Sequence, residues 1–331
     1  MAVKKRIGLI GLGDIAQKVY LPLLAGDTRI ELAGIMSRKA STVERIQEQY
    51  RLPFGTTKLD ELLGQTLDAV FIHSPTETHY PLVMACLRRG LPVYVDKPLS
   101  YVWKESLEMA AFAEQKGVLL GVGFNRRFAP LYAAAKDWLR EAGGFQYCSA
   151  VKHRTRQQTY SAAQTIYDDL IHMLDLLLWL GEDNGFEKGQ GSYRVNSHTQ
   201  QTDEQGRLIH ASGSLSLGLS TASGALPEGG TSAVNGVYSM VRLSGTDTEK
   251  LELHGNGRSV EVTNLETATF FEKGQLPAAR TFGSWETVLT RRGFTGVVQH
   301  FLDSLEAPEH CLIRADLVLD THKLVEELLK R

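Results

Sequence analysis

Cysteine is scarce. The 331 residues contain three, Cys86, Cys148 and Cys311, too far apart for a metal-type or redox pair. So sparse and odd a set excludes a disulfide-built scaffold and fits a reducing cytoplasm, the expected location. A surplus of positive charge is also missing. The formal net charge is −2, so the clustered basic face that nucleic acid or an anionic membrane surface demands is not expected. No apolar run approaches the roughly 20 residues that span a bilayer. The first ten residues combine lysines with a brief apolar run, but Asp14 and Lys18 interrupt it before any cleavage-site pattern, so no signal peptide is read there. Repeats and low-complexity tracts are absent from the sequence, and no spacing suggests a metal site. What is present suffices for packed cores: hydrophobic residues make up 43% and charged residues 22%, over a length that suggests two domains.

The first part alternates apolar runs with amphipathic stretches. Strands are predicted at 5–10, 31–36, 69–73, 92–95 and 118–122. Helices are predicted at 15–25, where Pro22 interrupts, and at 40–50, 60–63, 79–89 and 104–115. Such alternation implies βαβ units and a doubly wound, open parallel sheet. The second part reads as α+β with a mostly antiparallel sheet. A helix at 131–141 is followed by a strand at 145–153 and a long helix at 163–180. A polar segment, 185–206, reads as loop. Strands follow at 208–217, 238–244, 249–254 and 259–264, and two helices, 295–305 and 314–329, close the chain. The expected domains are 1–126 and 127–331, with the last helices able to return to the first.

Gly11-Leu12-Gly13-Asp14-Ile15-Ala16 follows the first strand and opens the first helix. Gly11 permits a tight turn, Gly13 lets backbone approach a pyrophosphate, and small Ala16 lets helix and strand pack closely. Backbone N–H groups at this helix start, those of Asp14 and Ile15 among them, then face phosphates. The first domain is therefore expected to be a Rossmann-type fold that binds a nicotinamide dinucleotide. Where NAD-selective sites carry a carboxylate at the end of the second strand, this chain has Met36-Ser37-Arg38-Lys39. Ser37 and Arg38 suit a 2′-phosphate, so NADP(H) is favoured over NAD(H). In the competing structural reading, Ser37 merely caps the next helix and Arg38 is a solvated charge.

Four further motifs occur in order: Ser74-Pro75-Thr76-Glu77-Thr78-His79, Val95-Asp96-Lys97-Pro98, Gly123-Phe124-Asn125-Arg126-Arg127-Phe128, and Asp168-Asp169-Leu170-Ile171-His172-Met173-Leu174-Asp175. With the glycine motif they resemble, over almost the whole chain, the signature of the glucose–fructose oxidoreductase/inositol dehydrogenase/rhizopine-catabolism (Gfo/Idh/MocA) family. The pairing of Asn-Arg-Arg-Phe-Ala-Pro with Asp-Asp-x-x-His is similar to the branch of MviM-type virulence factors. The resemblance implies an NAD(P)-dependent dehydrogenase or reductase acting on a CH–OH group of a sugar, polyol or related small molecule. It implies that Ser74, Pro75, Thr76 and His79 pass under the nicotinamide end of the cofactor. Lys97 contacts substrate and nicotinamide ribose, with a cis bond to Pro98. Asp96 stands where a longer Glu is usual, which alters a ribose contact, and Asn125 lies near the same ribose. Asp168 and His172 line the substrate pocket with Lys97.

The chemistry matches these side chains. Removing hydride from an alcohol requires a base for the hydroxyl proton, and reduction requires a donor. His172 titrates near neutrality, Lys97 polarises the carbonyl or shares the proton, and Asp168 orients hydroxyls or biases the His172 tautomer. Asp175 either joins this face or hydrogen-bonds within the helix packing. Asp169 is an extra carboxylate, and Leu170 replaces a glycine usual in the motif; both are expected to reshape the pocket, beside loops 157–164 and 225–235. His73 reads as a packed strand end, and Arg126 and Arg127 as interdomain salt-bridge residues. Two other functions are weighed. A dinucleotide-binding sensor has no need of Lys97, Asp168 and His172 together, and a metal-dependent lyase would need His172, Asp168, Asp175 and His79 to converge. The family also implies a homodimer or homotetramer formed through the open face of the C-terminal sheet.

Overall fold

Five short apolar runs and one dipeptide pair in parallel to form the first sheet. In this computed structural model, which describes residues 4–182, 193–218 and 234–331, the strands are β1 (Lys5–Ile10), β2 (Ile30–Met36), β3 (Gly55–Thr56), β4 (Ala69–Ile72), β5 (Val93–Val95) and β6 (Leu120–Val122). Their order is β3-β2-β1-β4-β5-β6, the doubly wound arrangement expected from the alternating pattern. Helices α1 (Leu21–Gly26), α2 (Ala40–Tyr50), α3 (Leu59–Leu63), α4 (His79–Arg88) and α5 (Trp103–Lys116) connect them. All four residues of β4 are buried, as parallel strands covered on both faces should be. The two-residue β3 has no sequence periodicity to announce it.

Pro22 does not end the first helix. It lies inside a stretch, 14–26, that is helical throughout, and the missing proline N–H is absorbed by local rewinding. The turn before it, Ala16–Tyr20, is wound as π-helix, with the Leu21 N–H bonded to the Ala16 carbonyl.

The second sheet begins with β7 (Tyr147–His153), after helix α6 (Pro130–Glu141). Helices α7 (Ala162–Thr165) and α8 (Ile171–Gly181) follow, joined by a π-helical turn, Ile166–Leu170. Strands β8 (Tyr193–Thr202), β9 (Leu208–Leu217), β10 (Val234–Val241), β11 (Thr248–Gly255), β12 (Arg258–Thr263), β13 (Thr267–Glu272) and β14 (Ala278–Thr281) complete it. The eight strands run β14-β13-β12-β11-β7-β10-β9-β8; only β7–β10 is parallel. Helices α9 (Val288–Arg291), α10 (Phe294–Asp303) and α11 (Ala315–Leu329) end the chain.

One expectation is corrected. Within the segment 185–206, read as loop, residues 193–202 form β8, which pairs antiparallel with β9. It is an edge strand with polar side chains on both faces, so it lacks the alternation that marks a half-buried strand. The rest of that segment up to 192, and 225–233 of the second expected pocket loop, lie outside the described residues.

The chain divides into two units. The first comprises Met1–Gly123 and Val297–Leu319, the second Phe124–Gly296 and Asp320–Arg331. In the first, Phe301 packs edge-on against Phe71 and Tyr94, each 5.4 Å between ring centroids, and the Ile313 carbonyl accepts from Val122 N–H. In the second, α6 sets Leu131, Ala135 and Leu139 on one buried stripe, while nearly every residue of α8 is buried, His172 and Asp175 among them. No helix among the described residues is long and apolar enough to cross a membrane.

One glycine in the second unit is sterically fixed. Gly293 has φ +79°, and a Cβ there would sit 2.1 Å from the Asn125 carbonyl oxygen and 2.6 Å from Ala129 N. Gly293→Ala is therefore expected to lose at least about 2 kcal/mol of stability, from strain alone, measured as a lower denaturation midpoint in urea at unchanged slope.

Candidate functional site

A cleft of about 440 Å³ opens at the carboxyl ends of the first sheet, lined by Gly11, Gly13, Ser37, Arg38, Ser74 and Pro75 among others. This is where ligands bind in open α/β sheets. Gly11, at φ +89°, is required by the neighbouring loop as well as by the turn. A Cβ there would lie 2.4 Å from Ser74 N and 2.6 Å from the His73 carbonyl carbon. At Gly13 nothing lies within 4 Å of that position, which leaves the backbone open to an approaching phosphate. Ala16 is fully buried, as close helix–strand packing demands. Asp14 is exposed and pairs with Lys18 at 2.8 Å, and Ile15 is partly exposed.

Ser37 is half-buried and Arg38 exposed. Helix α2 has Lys39 at its cap position and no side-chain cap bond, so Ser37 does not cap it. Among the described residues no carboxylate lines the cleft. On the opposite wall, Thr78 Oγ1 donates to the Pro75 carbonyl and accepts from the Ser74 hydroxyl, both at 2.7 Å, which fixes the turn Thr76–Thr78.

Beneath the cleft lies a polar cluster that the motifs did not announce. His73 Nδ1 is 2.9 Å from Asp96 Oδ2. The imidazole stacks on Tyr20 at 3.6 Å, whose hydroxyl is 3.0 Å from that of Tyr94. Burial pushes both tyrosines well above their ordinary value, so they stay neutral. Burial would raise Asp96 too, but the His73 partnership and a Tyr20 hydrogen bond outweigh it and hold the carboxyl below the usual range. The shorter carboxylate in the Glu position therefore has an inward partner. His73, read as a packed strand end, is that partner. Aspartate in place of glutamate one strand away was the available signal.

His79 ties two loops together. Its Nδ1 lies 3.0 Å from the Pro98 carbonyl and its Nε2 3.0 Å from the Ser74 carbonyl. Burial pushes its pKa down, against the pull of Asp96 and of these carbonyls. The Lys97–Pro98 peptide is cis, and Lys97 is half-buried.

The second unit holds the remaining candidates. Asn125 donates to the Arg292 carbonyl at 2.7 Å. The interdomain role expected of the next two residues is corrected. Arg126 forks onto Glu249 at 2.6 and 2.9 Å, and Arg127 onto Asp175 at 2.9 and 2.7 Å, all within this unit. Thr321 also donates to Asp175, so Asp175 serves helix packing. Asp168 and Asp169 lie on the π-helical turn; Asp168 is half-buried and His172 buried. Asp169 is gripped by Lys152 on β7 and by Arg242 just after β10, so it is occupied by cations rather than offered to substrate hydroxyls. Those two cations, Lys152 first, hold its carboxyl well below the usual range in spite of burial. Burial and nearby Arg126 push the Lys152 amine down to about 7, against Asp169. Among the described residues no group of three or more His, Cys, Asp or Glu is arranged to hold a metal.

Comparison with known proteins agrees with this geometry. Residues 5–124 match the Gfo/Idh/MocA family, described as an oxidoreductase family with an NAD-binding Rossmann fold. Residues 130–273 match the YceM-like C-terminal domain. The chain is 34% identical to YceM of Salmonella typhimurium over 91% of this chain and 89% of that protein. It is 30% identical to inositol 2-dehydrogenase 4 of Saccharopolyspora erythraea over 70% of this chain and 73% of that one. The crystal structure of the dehydrogenase MviM from Clostridium difficile superposes with a TM-score of 0.86 at 29% identity, covering 98% and 99% of the two chains.

Two outcomes follow from the site's packing. Gly11→Ala forces β1 away from the 73–74 backbone, and dinucleotide binding measured by nicotinamide fluorescence is expected to weaken by at least about tenfold, since the strain exceeds 1.4 kcal/mol. Lys152, with an ordinary value of 10.5 in the unfolded chain and about 7 in the fold, binds fewer protons folded than unfolded between those limits. Its contribution to stability therefore rises with pH from about 7 to 10.5, at up to about 1.4 kcal/mol per unit. Urea midpoints of the wild type minus those of Lys152→Met are expected to increase across that window.

Proposed function

The chain belongs to the Gfo/Idh/MocA oxidoreductase family, whose first domain is an NAD-binding Rossmann fold, and from that premise we propose that it moves hydride between NADP(H) and a hydroxyl or carbonyl carbon of a sugar, polyol or related small molecule. The observation that carries the cofactor reading is the cleft itself. Its floor needs glycine at position 11, its wall is open at Gly13, and Ser37 and Arg38 line it with no carboxylate to repel a 2′-phosphate. The residues present thus fit an NADP-type dinucleotide, which when bound supplies the hydride donor or acceptor at its nicotinamide ring.

The chain's own groups handle the proton. In our reading His172 accepts it from the substrate hydroxyl during oxidation and returns it during reduction, while Lys97 polarises the oxygen and Asp168 orients the neighbouring hydroxyls. Buried His172 keeps bulk water from competing for the proton. His79 ties the Ser74 loop to Pro98, the residue after Lys97. The substrate class is supported by the inositol 2-dehydrogenase relative. Assembly into a homodimer or homotetramer through the open face of the β7–β14 sheet belongs to the same proposal.

Titrating the protein with NADPH and NADH while following nicotinamide fluorescence tests the cofactor assignment. NADPH is expected to bind more tightly, and Arg38→Ala to weaken it by about tenfold, the worth of one charge-assisted hydrogen bond, with NADH unaffected. Equal affinities would remove the Ser37–Arg38 argument. His172→Ala, at unchanged NADPH affinity, and Lys97→Ala, with some loss of NADPH affinity from its ribose contact, are each expected to slow hydride transfer by about 100-fold or more, read by stopped-flow oxidation of NADPH with candidate ketoses. Turnover undiminished by either change would sink the assignment of these two residues.

A further inference from the structure

Three segments of the first unit meet at one carboxylate. Asp96, just after β5, has His73 Nδ1 at 2.9 Å from its Oδ2 and a hydrogen bond from Tyr20. Tyr20 ends the π-helical turn that follows the glycine motif, His73 precedes Ser74, and Asp96 precedes Lys97. The Asp96 carboxyl is held below the usual range, so near neutral pH it only accepts. His73 Nδ1 therefore carries a proton and donates it, and the Tyr20 hydroxyl donates too. With its own proton engaged, Tyr20 accepts from Tyr94, 3.0 Å away. Every donor in this group points towards Asp96.

Packing alone does not call for histidine at position 73. Its side chain is fully buried and stacks on Tyr20 at 3.6 Å, with the rings of Phe71 and Tyr94 beside it. A phenylalanine would fill that aromatic space. Histidine instead leaves its Nε2 buried without a hydrogen-bond partner among the described residues, which costs stability. What the imidazole adds over a phenyl ring is the one N–H given to Asp96. The carboxylate so held is next to Lys97. Its backbone N–H donates to the Ile72 carbonyl at 3.1 Å, and the Pro98 carbonyl beyond the lysine lies 3.0 Å from His79 Nδ1. The residues before and after Lys97 are thus both tied to the 72–79 segment, which restricts where the lysine side chain starts. A glutamate at position 96, one methylene longer, would not meet His73 in the same pose.

We propose that Asp96 is a positioning residue for Lys97: its carboxylate turns inward onto His73 and Tyr20 rather than outward onto the cofactor's ribose, and positions 73 and 96 act as one pair that sets where the lysine meets the dinucleotide. This rests on the reading of Lys97 as the group that meets cofactor and substrate. In the alternative, Asp96 uses the 18% of its side chain that stays exposed for a ribose contact, and His73 only fills space.

Acetylation of Lys97 by N-hydroxysuccinimidyl acetate separates the two without turnover. It is read by mass spectrometry of the Lys97 peptide from the full chain, with and without saturating NADPH. NADPH is expected to slow labelling of the wild type by about tenfold or more, the worth of one charge-assisted contact. His73→Phe keeps the aromatic stack and removes the donor. Asp96→Asn keeps the shape but leaves one of the two donors facing an amide N–H. Both are expected to lose most of the protection. His73→Asn, whose amide donates from nearly the same place, is expected to keep it although the stack is lost. All three are expected to retain the circular dichroism of the wild type; should His73→Phe not fold, Asp96→Asn carries the test by itself. Protection that survives His73→Phe or Asp96→Asn, protection lost in His73→Asn, or an NADPH affinity lowered more by Asp96→Asn than by Lys97→Ala overturns the pair. A wild type in which NADPH leaves Lys97 unprotected sinks the reading of Lys97 and this inference with it. A protected wild type beside a protected His73→Phe sinks the inference alone.

Discussion

At the ends of β1 and β4 the chain packs backbone on backbone. Between β1 and β4 the chain at Gly11 lies so near His73 and Ser74 that no side chain fits between them. Parallel pairing of Leu9 with Phe71 and Ile10 with Ile72 brings the two strand ends level, and the positive φ of Gly11 turns the chain away at that level. The cleft, its two lining loops and the position of Ser37 across from Ser74 all follow from this contact. Any residue larger than glycine would move β1 relative to β4 and close or skew the groove.

Polar groups below and behind that groove obey a second constraint: each buried one needs a partner. The carboxylate of Asp96 meets His73, both nitrogens of His79 meet carbonyls, and the Arg127 fork meets Asp175. These contacts remove freedom from the loop that carries Lys97 and from the helix that carries His172, so the side chains given roles in proton transfer stand on rigid supports. The helix adds a device of its own. Its π-helical turn falls on Asp168 and Asp169, as such turns often do at functional positions, and Asp169 is held to the sheet by its two cations.

The match to the oxidoreductase family over residues 5–124 includes the glycine motif and the Lys97–Pro98 turn, where backbone geometry dictates residue type. The sheet of the second unit matches a family model too, over residues 130–273, and there Lys152, Arg154, Arg242 and Glu249 lie on three different strands or their ends.

Composition and periodicity by themselves determined the doubly wound sheet, the mostly antiparallel second sheet, the glycine turn and the absence of an acid after β2, because each rests on local rules: strand period, helix period, or the φ that only glycine accepts cheaply. They did not reveal β8, whose polar faces carry no period, nor the two-residue β3, nor the π-helical turns, which leave no mark on residue type. They also placed Arg126 and Arg127 between domains and Asp169 in the pocket. Partners such as Glu249 and Arg242, 123 and 73 residues away along the chain, were decided only when strand order brought them together. Pairing of buried charges is a property of the assembled sheet, since each group takes whichever opposite charge the fold delivers to it.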